Sequence, residues 1–143
     1  MSQRDDILDV IATYAQAVDD HDVERVVACF TVDGRIDFEG GRSSGTGHDG
    51  IRAAFEAAFS ATPALQEPAA STHLMGNTLV RVDGDCATAE TQCVAFLAST
   101  ATGAVTTRGI RYSDQMVLTG DGWRIAHRIH RSLWSTEAPG AVH

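Results

Sequence analysis

Leu79-Val80-Arg81-Val82-Asp83-Gly84-Asp85-Cys86-Ala87-Thr88-Ala89 decides the fold. Two stretches of strand composition meet at Asp83-Gly84-Asp85, a hairpin turn. The pattern repeats on both sides. Upstream, residues 71–82 form the first long strand. Downstream, 86–98 form the second, closed by the looser Ser99-Thr100-Ala101-Thr102-Gly103. Residues 105–118 follow, then the turn Thr119-Gly120-Asp121-Gly122, then a last strand over 123–134. Four long strands joined by short turns predict an antiparallel meander.

Before this half the chain is helical. Ile7, Leu8, Ile11, Tyr14, Ala15 and Val18 recur at helical spacing, which predicts an amphipathic helix over 3–19. Asp20-His21-Asp22 interrupts it, and Asp22 is placed to cap a short second helix whose apolar face is Val23, Val26, Val27 and Phe30. A short strand over 33–38 precedes Gly40-Gly41-Arg42-Ser43-Ser44-Gly45-Thr46-Gly47, read as a flexible turn or hairpin tip. Its glycines lack P-loop spacing, and no lysine follows. A third helix is expected over 49–60, started by His48 and Asp49, and Pro63 and Pro68 bracket a loop over 61–70. Helices first and strands last is the α+β order. Such a sheet, twisted and curved, wraps around the helices and leaves a mouth at one end. The 143 residues fit one domain over 1–143.

The formal net charge of −8 leaves no basic stripe to displace counterions from nucleic acid. Arg108, Arg111, Arg124, Arg128 and Arg131 cluster late, among apolar residues of two strands, and read as sheet-surface or interface positions. No apolar run reaches membrane-spanning length, and the N-terminus has no signal-peptide pattern. Cys29, Cys86 and Cys93 have no metal-ligand spacing and read as buried free thiols. The expected home is the cytoplasm.

The chemistry-bearing residues begin on the first helix. Ile7, Ile11, Ala15 and Asp19 are spaced by four and share one face. A carboxylate that ends an apolar stripe is either a helix-end group reaching solvent or a buried acid, and buried acids concentrate in functional sites. Asp20 and Asp22 lie off the stripe, as solvent or cap residues. His73 stands among Leu74, Met75, Leu79 and Val80 near the start of the first long strand. It is either a satisfied core histidine or a proton-transfer group that titrates near neutral pH. Tyr14 and Tyr112 are candidate substrate contacts, or packed tyrosines. His127 and His130, three apart on a strand, face opposite sides and cannot pair on a metal. No spacing argues for a metal or a cofactor.

Tyr14-Ala15-Gln16-Ala17-Val18-Asp19-Asp20-His21-Asp22-Val23 resembles the end of the first helix of SnoaL-like proteins. Ser71-Thr72-His73-Leu74-Met75-Gly76-Asn77 resembles their first long strand, and Val82 to Ala89 its hairpin. Gly109 to Asp114 and Gly122-Trp123-Arg124-Ile125 resemble their closing strands. The resemblance implies an NTF2-like cone, with N-terminal helices packed on a curved antiparallel sheet. It is nearest the scytalone dehydratase-like branch, which with hexachlorocyclohexane dehydrochlorinases uses an Asp on that helix to orient a His on that strand. Asp19 and His73 match those positions. The second catalytic histidine of scytalone dehydratases falls near Leu97 and Ala98, and their two water-holding tyrosines near Val18 and Phe38, so those groups are missing here. The resemblance therefore implies a cofactor-free lyase or isomerase acting on a small apolar or cyclic molecule. Its alternatives are a non-catalytic assembly module like a dioxygenase small subunit, or a polyketide cyclase or epoxide hydrolase of the same fold. It also implies a homodimer or higher homo-oligomer formed through the sheet face. The tail after Trp134 has turn composition and is expected to be mobile or to close the mouth.

Overall fold

In the computed structural model, residues 2–39, 44–61 and 71–141 are described. The expected loop over 62–70 and the first four residues of the glycine-rich turn, 40–43, lie outside them. The elements run α1 (Gln3–Asp19), α2 (Val23–Ala28), β1 (Phe30–Phe38), β2 (Ser44–Thr46), α3 (Gly47–Ala61), β3 (Ser71–Asp83), β4 (Cys86–Ala98), β5 (Val105–Thr119) and β6 (Gly122–Ala138). The sheet order is β2-β1-β6-β5-β4-β3. Every adjacent pair is antiparallel except β1 with β6, which is parallel. The helices pack on a curved, open, mostly antiparallel sheet, with β1 and β2 preceding α3 and four strands following it, which is the α+β cone.

Helix α1 starts at a capping box: the Ser2 hydroxyl accepts from the Asp5 amide at 3.1 Å, while the Asp5 carboxylate accepts from the Ser2 amide. Asp5 and Asp6 in the first turn suit the positive end of the helix dipole. At the other end His21 takes a positive φ of 52° and turns the chain into α2, whose first turn Asp22 caps through the Arg25 amide.

Strand β4 shows how the sheet divides. Its residues alternate exposed and buried, with Ala87, Ala89, Thr91, Cys93, Ala95 and Leu97 inside. Cys86 begins the strand on the outer side and is exposed; only Cys29 and Cys93 are the buried thiols that were expected. Register carries the inner face to Ser71, His73 and Met75 on β3 and to Arg108, Ile110, Tyr112, Asp114 and Met116 on β5. Opposite these, α1 contributes Ile7, Ile11, Tyr14 and Val18, and α3 contributes Ile51 and Phe55.

Three expectations change. Pairing continues along β6 past Trp134 to Ala138, which faces Val105, so the expected tail is strand as far as Ala138. A strand's end is set by its partner, and β5 is long enough to hold it. Arg128 is not a surface residue like Arg111: it is fully buried, whereas Arg108, on the inner face opposite Ala95, stays partly exposed. Part of the glycine-rich turn is also ordered, as β2.

Gly45 explains that order. A Cβ there would lie 2.5 Å from the carbonyl oxygen of Gly50 in α3. The two glycines let β2 touch the helix backbone to backbone. Gly45→Ala is therefore expected to cost about 1–3 kcal/mol of stability, as overpacking against backbone does. Gly84→Asn, at a left-handed turn position with open space around it, should change stability far less. Urea denaturation of the two variants beside the parent checks both.

Candidate active site

The last residue of α1 and the first residues of β3 meet. Asp19 receives three hydrogen bonds: the Ser71 hydroxyl donates to Oδ1 at 2.9 Å, the His73 amide to Oδ2 at 2.8 Å, and His73 Nδ1 to Oδ1 at 2.6 Å. Each has a local reason. Strand β3 is the edge of the sheet, so the outward amide of His73 has no further strand to bond. Ser71 and His73 are two residues apart and share the inner face, which brings both side chains to one acceptor. Asp19 reaches them because its stripe on α1 is the buried one, with Ile7, Ile11 and Ala15 all in the core.

Electrostatics follow from these contacts. Burial alone would raise the Asp19 carboxyl, but the bonds from the His73 ring, the His73 amide and Ser71 outweigh it and hold the acid below its ordinary 3.8. An ionised carboxylate only accepts, so Nδ1 of His73 must carry a proton. In the neutral ring the basic lone pair is then on Nε2. The side chains of His73 and Asp19 are 10% and 20% exposed, largely but not fully enclosed.

Tyr14 and Tyr112 come together with each other, ring centroids 5.8 Å apart, and with Arg128, which from sequence reads as a sheet-surface or interface position. The Arg128 guanidinium lies 4.2 Å from both ring centroids. It grips Asp114 through Nε and Nη2, each at 2.7 Å, and neither side chain of the pair touches solvent. The third nitrogen, Nη1, is buried without a hydrogen-bond partner. Burial pushes the Tyr14 phenol up to about 12 and the Tyr112 phenol well above its ordinary 10.0. Cys93 links the two clusters: burial first raises its thiol to about 12, and the charges of Arg128, Asp19 and Arg108 all reach it.

The histidines on β6 separate as expected. His127 bonds Asp37 at 2.7 Å on the outer face, and His130 packs on Phe38 and Tyr112 inside. Among the described residues no three His, Cys, Asp or Glu side chains gather as a metal-binding group. No helix among them is long and apolar enough to cross a membrane. A hollow of about 380 Å³ lies elsewhere, at the β3–β4 hairpin, where Arg81, Asp83, Cys86, Thr88 and Gln115 form part of its wall. Neither Asp19 nor His73 lines it.

The SnoaL-like domain matches residues 1–129. The chain belongs to that family. An uncharacterised protein of Mycobacterium tuberculosis is 33% identical over 132 residues, which is 90% of this chain and 84% of that protein. Among solved structures, an NTF2-like protein with a cystatin-like fold from Novosphingobium aromaticivorans is 26% identical, with a TM-score of 0.75 over 92% of this chain and 82% of its own. A hexachlorocyclohexane dehydrochlorinase reaches a TM-score of 0.81 over 98% of this chain and 90% of its own. At 15% identity it shares the fold. The structure brings Asp19 and His73 together and adds Ser71 to them, and it pairs Asp114 with Arg128, which the sequence places among sheet-surface or interface arginines. Ser71 had a signal, its position two residues before His73 on a strand.

Asp19 ties its fold contribution to pH. The folded carboxyl binds a proton less readily than the unfolded one, so its contribution is whole above about 3.8 and is lost as pH falls through the lower folded value. The stability gap between the parent and Asp19→Asn should stay level from neutral pH to about pH 4 and narrow below it. Chemical denaturation across that range reads the gap, and a gap that widened in acid would contradict the sign.

Proposed function

We propose that this SnoaL-like protein is a cofactor-free lyase or isomerase acting on a small, largely apolar or cyclic molecule. His73 is its general base and Asp19 the group that orients it. The carrying observation is the 2.6 Å contact between His73 Nδ1 and a carboxylate that Ser71 and the His73 amide hold in place. A fixed carboxylate selects the tautomer with basic Nε2 and stabilises the imidazolium formed when that atom takes a proton from carbon. Enclosure by core side chains strengthens the attraction, because little water screens it. Elimination follows if a leaving group departs from the neighbouring carbon, and isomerisation if the proton returns elsewhere. Tyr14 and Tyr112 enter the proposal as aromatic substrate contacts. Both rings are buried against Arg128, and their raised phenols stay neutral, so they do not serve as bases.

The shared fold with a hexachlorocyclohexane dehydrochlorinase supports the general kind of chemistry. On a substrate found by screening elimination and double-bond migration, His73→Ala is expected to lose about 10²–10⁴ in kcat, the usual worth of a positioned base. Asp19→Asn should fall with it. Full activity in either variant would sink the proposal.

A second reading, an assembly module without chemistry, is favoured by the outer face of the sheet. Leu74, Leu79, Leu133 and Trp134 are each more than half exposed there or on the strands that form it. Leu74, Val94 and Gly109 follow one another across β3, β4 and β5, and the Trp134 indole covers Gly109. We propose that a second copy of the chain covers this apolar row. Light scattering should give a multiple of 15.2 kDa for the parent and a shift toward that mass for the double variant Leu74→Ser, Trp134→Ser. The two readings part on the activity of the His73 variant, since a pure assembly module has none to lose.

A further inference from the structure

The outer face of the sheet carries two unpaired charges beside its apolar row. Register puts Gln92 opposite Arg111 and Glu90 opposite Ser113, so Glu90 on β4 and Arg111 on β5 are diagonal neighbours on that face. Both are exposed, and among the described residues neither side chain has a hydrogen bond or an ion pair. Arg111 also faces Arg131 on β6. Like charges set directly opposite each other repel. Arg131 is matched by Glu39 at 3.1 Å and donates to the Ser113 hydroxyl. Arg111 has no such anion among the described residues.

The two ends of this face differ in shape. At one end stands the row Leu74, Val94 and Gly109, with the Trp134 indole lying over Gly109. At the other end, by the β3–β4 hairpin, lies the hollow of about 380 Å³. The row Arg81, Thr88 and Gln115 forms part of its wall. Arg111 is two residues along β5 from Gly109, and Glu90 is two residues along β4 from Thr88. The diagonal between the two charges is therefore centred between the apolar row and the hollow.

We infer that a second copy docks about a two-fold axis through the midpoint of that diagonal, so that Arg111 of each copy meets Glu90 of the other. The inference rests on the reading of the outer face as the contact between copies. A two-fold contact is isologous: when one residue meets a second, the second meets the first, so every contact is made twice. An axis at this point, perpendicular to the sheet, exchanges β4 with β5 and β3 with β6. It makes two ion pairs from four charges that lack partners within their own chains. The same rotation carries Val94 and Trp134 of each copy over the hollow of the other. The exposed Arg81 guanidinium on the hollow's wall then meets an indole face. An axis through the apolar row itself would set Arg111 over Phe96 and leave both hollows unfilled. Two chains of net charge −8 repel, and opposite charges placed across the contact select one alignment over the others.

Charge swaps read by light scattering and native mass spectrometry test the axis. The parent is expected at twice 15.2 kDa. Glu90→Arg and Arg111→Glu each create two like-charge contacts across the axis, and each alone should weaken the dimer about 100-fold or more. Mixed in equal amounts, the two variants should form a dimer with one copy of each, because every contact is then Arg against Glu. The double variant Glu90→Arg, Arg111→Glu should dimerise with itself. A native-like circular dichroism spectrum certifies each variant as folded; both positions are exposed. Single variants that dimerise as tightly as the parent overturn the inference. So do monomeric single variants that fail to pair when mixed. A monomeric parent overturns the reading of the outer face as well. A parent dimer that Leu74→Ser, Trp134→Ser dissociates and the charge swaps leave intact keeps that reading and refutes the axis.

Discussion

A guanidinium without contact to water sits at the centre of this molecule, and the rest is arranged around it. Arg128 and Asp114 are both fully buried, and removing two charges from water costs several kcal/mol per ion unless the geometry repays it. Here the repayment is specific. Two parallel hydrogen bonds join the pair across β5 and β6, and the faces of Tyr14 and Tyr112 cover the cation from α1 and from β5. The arrangement needs all three elements at once. It fixes the height of α1 above the sheet through Tyr14, and so decides where the C-terminal end of that helix arrives.

That end carries Asp19, one and a half turns beyond Tyr14. Its carboxylate meets the edge of the sheet at the point where β3 has an amide to spare. The same side chain closes an unpaired edge, seats Ser71 and holds the imidazole of His73. Core and candidate site are thus joined by one helix: the buried ion pair locates α1, and α1 locates the carboxylate. Cys93 lies on the floor between them, its thiol raised by burial and reached by charges from both sides.

Much of this was legible in the chain because periodicity survives where elements are regular. Strand β4 has no irregularity, and its bounds at Cys86 and Ala98 match the expectation from its flanking turns. The stripe of Ile7, Ile11, Ala15 and Asp19 is likewise a plain consequence of helical spacing. Legibility fails at the bulges. On β6, Trp123 and Ile125 face inward, and strict alternation would then put His127 inside and Arg128 outside. The irregular pairing between Gln115 and Met116 gives β6 an extra residue at Ala126, and the parity flips. Arg128 and His130 turn inward, and His127 joins Asp37 outside. The arginine then looked like a surface residue, because charge ordinarily means exposure. The parallel pairing of β1 with β6 was invisible for another reason: it joins segments some ninety positions apart, and nothing in either segment names the other.

The contacts of Asp19 also divide structural work from chemical work. Its bond to the amide of residue 73 would form with any non-proline residue there, and its bond to Ser71 needs only a hydroxyl. Those two contacts close the sheet edge, and they would do so without an imidazole. The third contact is different. A ring nitrogen at 2.6 Å from an ionised carboxylate adds little to an edge that is already closed, yet it sets the tautomer and leaves the basic lone pair of the neutral ring on Nε2. A carboxylate already pinned by two other donors does not have to reorganise when that atom gains a proton. In the proposed proton transfer, preorganisation of this kind would supply the electrostatic contribution. The edge of the sheet thus supplies the rigidity on which the imidazole of His73 is held.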